Sequence, residues 1–427
     1  MKWQNWGRTE SAAPAHEPTP SSVEEIAQIV TTAAKSGRTV KTAGAGHSFS
    51  GIAVPGDTLL RLSNLRGLIG VEGNRATFRA GTHLYEIPAL LAPYQLAMAN
   101  LGDIDKQTIA GATSTGTHGT GLNFGGISTQ IAGIELVDGV GEVRTITEGP
   151  ELQAAALGLG SLGVITAITL ECVPAFSIEA VEGPAKIGDV LADLDRSINE
   201  TDHFEFYWFP HTEAALTKHN RRLPADVPAS GPSKLRRYID DELLSNHMLA
   251  GVCRAAALAP VIVPAVNEVS GNALSHRTIV APSTEVFVSD RNVRFREMEY
   301  AIPLNSLAEA FDGVRKVIDD KGYRVSFPIE VRVAAADDLM LSTASGRKSA
   351  YIAVHRYYRD KPDNYFRDVE AVMTKLGGRP HWGKMHTRDA DYFRSVYPRF
   401  DEFLAVRDRF DPNRVFANDY LRTVLGD

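Results

Sequence analysis

Thr39-Val40-Lys41-Thr42-Ala43-Gly44-Ala45-Gly46-His47-Ser48-Phe49 is a short β-rich run that opens into a turn of alternating alanine and glycine and closes on a histidine. Glycine lets the backbone approach a ligand closely, and successive amide N–H groups in such a turn bind phosphate oxygens. Two further stretches repeat the theme. Gly111-Ala112-Thr113-Ser114-Thr115-Gly116-Thr117-His118-Gly119-Thr120-Gly121 interleaves glycines with hydroxyls that add donors to the same anion. Gly158-Leu159-Gly160-Ser161-Leu162-Gly163-Val164-Ile165 leads into a strand. Gly44-Ala45-Gly46 lacks the third glycine of a dinucleotide fingerprint, and no lysine follows the glycines as it would in a P-loop. Three such turns in the first part of one chain point instead to a diphosphate-bearing cofactor clamped by several loops.

Around these turns the pattern is α+β. Ser22-Val23-Glu24-Glu25 reads as a capping box for a helix with Val23, Ile26, Ala27, Val30 and Ala34 on one face and Gly37 as its stop. Strand-like runs lie at 39–42, 75–80, 131–137 and 164–172, with an amphipathic run at 85–96. Past Pro174 glycine thins while aromatic and charged residues rise. Residues 221–233, with Pro224, Pro228 and Pro232, read as an exposed loop. A strand at 297–303 precedes a helix capped by Ser306-Leu307-Ala308-Glu309 and stopped by Gly322. Strands at 323–334 and 348–358, a helix at 365–376 and an extended piece at 379–382 complete the order β-α-β-β-α-β of a ferredoxin-like unit. The expected division is a cofactor domain over 1–173, a substrate (cap) domain over 174–400, and a tail over 401–427 that returns to the first.

Side chains alternate across a strand, so Glu330 and Arg332 share one face of theirs. The next strand carries Tyr351, Ala353, His355 and Tyr357 on one face. Antiparallel pairing of the two would gather a carboxylate, a guanidinium and an imidazole. A solvated outer face with an incidental ion pair is the other reading of the same pattern.

Composition narrows the function. The 427 residues exceed a single small module, and 45 Lys+Arg against 52 Asp+Glu give a net charge of −7. No long basic run offsets that balance, which argues against nucleic acid or an anionic membrane as the main partner. Cys172 and Cys253 are too few for a disulfide framework or a thiolate zinc site and suit a reducing compartment. The apolar stretch 255–266 is too short to span a bilayer and contains Pro260 and Pro264, so it reads as a buried or interfacial segment. Met1-Lys2-Trp3-Gln4-Asn5-Trp6 lacks the apolar core of a secretory signal, and the expectation is a cytoplasmic protein. His381 with His386, and His203 with His211, lack a metal-binding motif; no metal is expected. Trp208 and Phe209 read as core, and Asp411-Pro412-Asn413 as a helix-ending turn.

Taken together, the chain resembles flavoproteins of the vanillyl-alcohol-oxidase type, and more closely their sugar-lactone and alditol oxidase branch, nearly end to end. The resemblance is carried by Gly44 to Phe49, Leu101-Gly102-Asp103-Ile104, Gly116-Thr117-His118-Gly119, Gly160-Ser161-Leu162-Gly163, Glu330-Val331-Arg332, His381-Trp382-Gly383-Lys384 and Phe416-Ala417-Asn418-Asp419-Tyr420-Leu421. It implies a two-part FAD domain and a cap over the flavin. FAD would be held by Gly44, Ala45, Gly46, His47, Ser48, Gly102, Asp103, Gly111, Ser114, Thr115, Thr117 and Ile165, with a covalent bond from His47 to a methyl group of the flavin. His118 would serve either as a hydrogen-bonding group within its loop or as a contact to FAD.

By the same resemblance Glu330 and Arg332 orient a sugar lactone. Arg332 with Lys384 stabilises the alkoxide, and His355 is the candidate base. L-gulono-, L-galactono-, D-arabinono- and D-glucono-lactones are all admissible. Gly102 stands where the plant mitochondrial dehydrogenase of this family has alanine, which implies open access for dioxygen and hydrogen peroxide as product. Asp103 stands where many relatives have serine. The competing readings are a dehydrogenase with a protein or dye acceptor, an alditol oxidase, and a non-catalytic nucleotide-binding regulator.

Overall fold

The computed structural model describes residues 2–231, 248–289 and 293–427. Its first half grows from the capped helix. Ser22 accepts a hydrogen bond from the Glu25 amide, and helix Val23–Lys35 buries Ile26, Val30 and Ala33. It packs against an antiparallel five-stranded sheet ordered Leu68–Glu72, Arg75–Arg79, Val164–Glu171, Ile131–Val137, Val143–Ile146. Beside it, the short parallel pair Val40–Thr42 and Thr58–Leu60 feeds the His47 turn.

The second half is one antiparallel sheet of eight strands. Its order is Arg277–Pro282, Phe176–Lys186, Ala214–Pro224, His203–Trp208, Ile329–Ala334, Ser349–Tyr357, Phe295–Pro303, Arg379–Pro380. The last four are the ferredoxin-like unit, whose helices Leu307–Lys321 and Tyr365–Lys375 cover one face. That face is apolar: Phe206, Met298, Tyr300, Val331 and Ile352 pack against Phe311, Val314, Ile318, Val369 and Met373. Alternation therefore sends Glu297, Glu299, Glu330, Arg332 and His355 to the opposite face. That face is not solvated. All five residues are buried.

Several local readings change in three dimensions. The strand expected from residue 323 starts at Ile329, because Pro328 has no N–H for a ladder and the Val325 carbonyl is taken by the Asn267 side chain. Ser306 does not cap through its side chain; a 3₁₀ turn Leu304–Ser306 leads into the helix instead. The run 85–96 breaks at Pro88 and Pro93 into 3₁₀ turn Leu84–Glu86, helix Ile87–Leu91 and 3₁₀ turn Ala92–Tyr94. Of the loop read at 221–233, residues 221–224 complete strand Ala214–Pro224, 225–231 are irregular and mostly exposed apart from a bridge between Ser230 and Val280, and 232–233 lie outside the described residues. Segment 255–266 spans helices Met248–Leu258 and Val263–Asn272; it buries Ala256 and Val263 but exposes Leu258 and Val261.

The C-terminal return starts earlier than residue 401. Trp382, Phe393 and Tyr397 stack together inside the first core, joined by Phe400, Phe403, Phe410, Phe416 and Leu421 and by Leu339, Met340 and Leu341 from within the cap. Asp411 anchors this tail. It is buried, and its carboxylate accepts the amides of Val415 and Phe416 at 2.8 and 2.9 Å. The Lys41 ammonium next to it donates to the carbonyls of Gly160 and Phe416. Burial depresses the Lys41 pKa to about 7, and Asp411 counters part of that shift. Asp411→Ala strands two amides and a buried lysine, so we expect a loss of about 2–4 kcal/mol, read as a lower midpoint in urea unfolding.

Candidate flavin and substrate site

Two clefts meet at His47, Ser48, Gln107 and Thr115. The first is lined by the glycine turns: Gly44, Ala45, Gly46, Gly111, Ser114, Gly160, Gly163 and Ile165, with Lys41 at its edge. Gly46 adopts φ +72°, a left-handed conformation that turns the chain here at no cost to a residue without Cβ. The amide N–H groups of residues 44–48 have no protein acceptor among the described residues. Consecutive free amides beside the short helix Ile109–Thr115, whose Ser114 and Thr115 line the same cleft, form the donor set that a diphosphate requires, so these residues fit FAD.

The second cleft lies between those turns and the charged face of the cap sheet. It is lined by Gly102, Asp103, Thr117, Glu330, Arg332, His355 and Lys384, so the sequence-derived catalytic set comes together there. Arg332 lies at its centre. Its Nε donates to Glu205 at 2.8 Å, it pairs with Glu330 on its own strand, and it lies 3.7 Å from Asp103. The Tyr207 hydroxyl is shared between Glu205 at 3.1 Å and Glu330 at 3.2 Å, and Lys218 closes the row 3.0 Å from Glu205. Burial disfavours the charge on Glu205, but Lys218 and Arg332 outweigh it and bring its pKa to about 2.

Lys384 reaches the same floor from the His381-Trp382-Gly383-Lys384 segment and pairs with Glu297. Burial opposes its charge, and Glu297 and Glu299 more than restore it, so its pKa is raised. Glu297 Oε1 is also 3.6 Å from His355 Nε2. The other nitrogen of His355, Nδ1, faces the Pro328 carbonyl at 3.3 Å, which fixes the proton there and leaves Nε2 toward the cleft.

His118, Glu299 and His381 bring donor atoms within 4.8 Å of one another. His118 Nδ1 donates to the Gly119 carbonyl at 2.8 Å, Nε2 faces Glu299 at 3.2 Å, and the ring stacks on Tyr351. His118 thus bonds within its own loop while also lining the cleft. His381 Nδ1 accepts the Gly383 amide, so its proton sits on Nε2 and that nitrogen cannot ligate. Two donors are short of the four of a closed zinc site. His386 bonds Tyr420, His203 bonds the Thr120 carbonyl and His211 bonds the Val325 amide, so neither histidine pair read from the sequence converges.

The comparisons agree with this geometry. A family model described as D-arabinono-1,4-lactone oxidase matches residues 168–424, and one described as FAD binding domain matches residues 14–147. An L-gulono-1,4-lactone dehydrogenase of Mycobacterium tuberculosis is 39% identical, covering 99% of each chain. The chain belongs to the D-arabinono-1,4-lactone oxidase family. L-gulonolactone oxidase of Scyliorhinus torazame is 31% identical over 98% of this chain and 97% of its own. A cholesterol oxidase from Brevibacterium sterolicum superposes with a TM-score of 0.82 at 18% identity, covering 99% of this chain and 96% of that one, which shows a shared fold.

As a member of this sugar-lactone oxidoreductase family with an FAD-binding domain, the chain is a flavin-dependent oxidoreductase. Residues the sequence reading did not single out complete the site: Glu205, Tyr207, Lys218, Glu297, Glu299, Gln107, Lys41 and Trp6. Glu297 and Glu299 alternate with buried Met298 and Tyr300, and Glu205 and Tyr207 with buried Phe204, Phe206 and Trp208, the signal that exposed Glu330 and Arg332; Lys218, Gln107, Lys41 and Trp6 lack it. With a folded pKa near 2 against an ordinary 4.5, Glu205 stabilises the fold fully above pH 4.5 and progressively less as pH falls toward 2. The change amounts to about 3 kcal/mol at most. Acid unfolding of Glu205→Gln should therefore be flatter across that window than that of the parent; parallel curves would exclude this carboxylate as a source of acid sensitivity.

Proposed function

We propose that this chain oxidises an aldono-1,4-lactone at the hydroxyl beside the carbonyl. The observation that carries the reading is a fixed guanidinium, a buried ammonium and an imidazole held at Nδ1 by the Pro328 carbonyl, all converging on one cleft beside the glycine turns. Bound FAD supplies the acceptor for the hydride. Arg332, immobilised by Glu205 and Glu330, and Lys384 stabilise the oxygen as the hydroxyl loses its proton. His355 takes that proton at Nε2, and Glu297 stabilises the imidazolium as it forms, while Pro328 holds the ring. L-gulono-, L-galactono-, D-arabinono- and D-glucono-lactones all present this hydroxyl.

His47 is the proposed point of covalent attachment. Burial first, then Lys384 and Lys106, hold its pKa at about 4, which keeps the ring neutral and nucleophilic at neutral pH. Dioxygen is the proposed acceptor of the electrons, released as hydrogen peroxide, on the strength of the missing side chain at Gly102. Added there, a Cβ would stand 3.0 Å from the His118 carbonyl and 3.4 Å from Thr117. A second reading, a dehydrogenase with a protein or dye acceptor, is favoured by Asp103, whose carboxylate lines the cleft beside Arg332. Both cysteines are buried and unpaired, which supports a cytoplasmic setting, and no helix of the described residues is long and apolar enough to cross a membrane.

Turnover of the four lactones and of xylitol should be compared, with peroxide followed under air and dye reduction followed without oxygen. Lactone turnover with stoichiometric peroxide is expected. Fast dye reduction with negligible peroxide would leave the dehydrogenase reading, and preference for xylitol would move the substrate to open-chain polyols. Lys384→Met should lower kcat by about a hundredfold, because the lost cation acts most strongly in the transition state. In denatured His47→Ala protein no flavin should remain with the polypeptide.

A further inference from the structure

Trp6 lines the substrate cleft, yet the reaction just described gives it no part. It belongs to a short ribbon in which Trp3–Gln4 pairs with Ser11–Ala12, and the turn between these strands grips the His47 loop. The Trp6 amide donates to the Gly46 carbonyl at 2.8 Å, and the Asn5 side chain donates to the Ser48 carbonyl at 2.9 Å. The Thr9 hydroxyl donates to the Phe49 carbonyl at 2.7 Å, while Asn5 Oδ1 accepts the amides of Thr9 and Glu10 and so stiffens the turn itself. Backbone carbonyls on both sides of His47 are therefore held by one segment. From the other direction the Phe49 amide donates to the Gly383 carbonyl and the Ser50 hydroxyl to the Trp382 carbonyl.

The ring contacts follow the same plan. The Trp6 indole stacks on the His47 imidazole with centroids 5.7 Å apart and planes 26° apart. The indole is itself fixed edge-on by Phe295 of the cap at 5.2 Å and by Phe49 at 6.1 Å. An indole wedged in this way leaves His47 little freedom about its side-chain torsions. These bonds reach the His47 turn only at the carbonyls of Gly46, Ser48 and Phe49, so they leave its amide N–H groups, and the turns at Gly111 and Gly160, free for the diphosphate. The ribbon thus bears chiefly on the direction of one imidazole.

We propose that the N-terminal ribbon, through Trp6, Asn5 and Thr9, positions His47 for bonding to the flavin, so that it governs covalent attachment and not FAD binding. The proposal rests on His47 being the attachment point. In the step it serves, a nitrogen of the neutral His47 ring bonds to a methyl carbon on the benzenoid ring of the flavin. The imidazole gives up its N–H proton, the methyl group gives up one hydrogen, and the two electrons and two protons released convert dioxygen to hydrogen peroxide. Trp6 touches none of the bonds that change; it is a positioning residue, and a misplaced ring slows such a step steeply.

The full chain, produced without bound flavin and then mixed with FAD under air, allows attachment to be timed by the flavin that stays with acid-denatured polypeptide. For Trp6→Leu we expect attachment at least about tenfold slower, with reversible FAD binding and melting temperature close to those of the parent. Trp6→Phe keeps a flat face against His47 and should restore most of the rate. An unchanged rate in Trp6→Leu, with the parent covalently labelled, overturns the positioning role alone. A parent that never retains flavin after denaturation overturns the His47 reading and the positioning role with it. If Trp6→Leu does not fold, Thr9→Val, which removes the hydroxyl that donates to the Phe49 carbonyl and accepts from the Asn5 side-chain amide, carries the test: slower attachment is expected, and an unchanged rate overturns the proposal.

Discussion

Arg332 is a buried guanidinium whose carboxylate partners come from three separate parts of the chain. Taking such a charge out of water costs several kcal/mol, and only close, well-directed partners offset it. Glu330 comes from its own strand, Glu205 from the neighbouring strand, and Asp103 from the cofactor half of the molecule. The cap cannot bury its polar face against the glycine turns unless this set is complete. Most of the architecture described above serves that closure, and the same ion is the natural centre for binding an oxygen of a sugar.

The opposite pole of the site is the His47 loop. Its backbone is bonded by the N-terminal ribbon on one side and by the Gly383 carbonyl on the other, where the Ser50 hydroxyl also donates to the Trp382 carbonyl. The tail reaches it as well, since the Tyr420 hydroxyl donates to the Trp382 carbonyl. Segments from both ends and the late middle of the chain thus converge on a turn of a few residues. Loops that hold a ligand are ordinarily mobile, and one that must aim a single ring needs support of this kind. Lys384, at the end of the supporting segment, links the two poles: its ammonium pairs with Glu297 on the floor and lies over the Phe49 ring.

One alternation along each strand builds both the core and the site. Met298 and Tyr300 point to the helices, while Glu297 and Glu299 point to the cleft; Val331 and Arg332 divide in the same way. A slip of one residue in register would drive carboxylates into the helix-covered core and expose tyrosine and methionine to the flavin side. Correct folding and correct chemistry are the same condition in this sheet, which leaves little room for variation at these positions.

Local signals in the sequence were enough for the element order and for part of the site. The glycine turns, the capped helix at Ser22, the β-α-β-β-α-β order and the pairing of Glu330 with Arg332 follow from periodicity and backbone preference, which act over a few residues. Strand starts and helix caps were less legible where a distant group intervened, as Asn267 does at Val325. Whether the charged face met water or protein could not be read locally, because a solvated strand face and a buried one carry the same alternation. Nor could Glu205 and Asp103 as partners of Arg332, the lysine beneath the tail or the indole on His47, since each depends on residues tens to hundreds of positions apart. Tertiary structure decided those matters, for the physical reason that desolvation and pairing of charge depend on what is near in space, not on what is near in the chain.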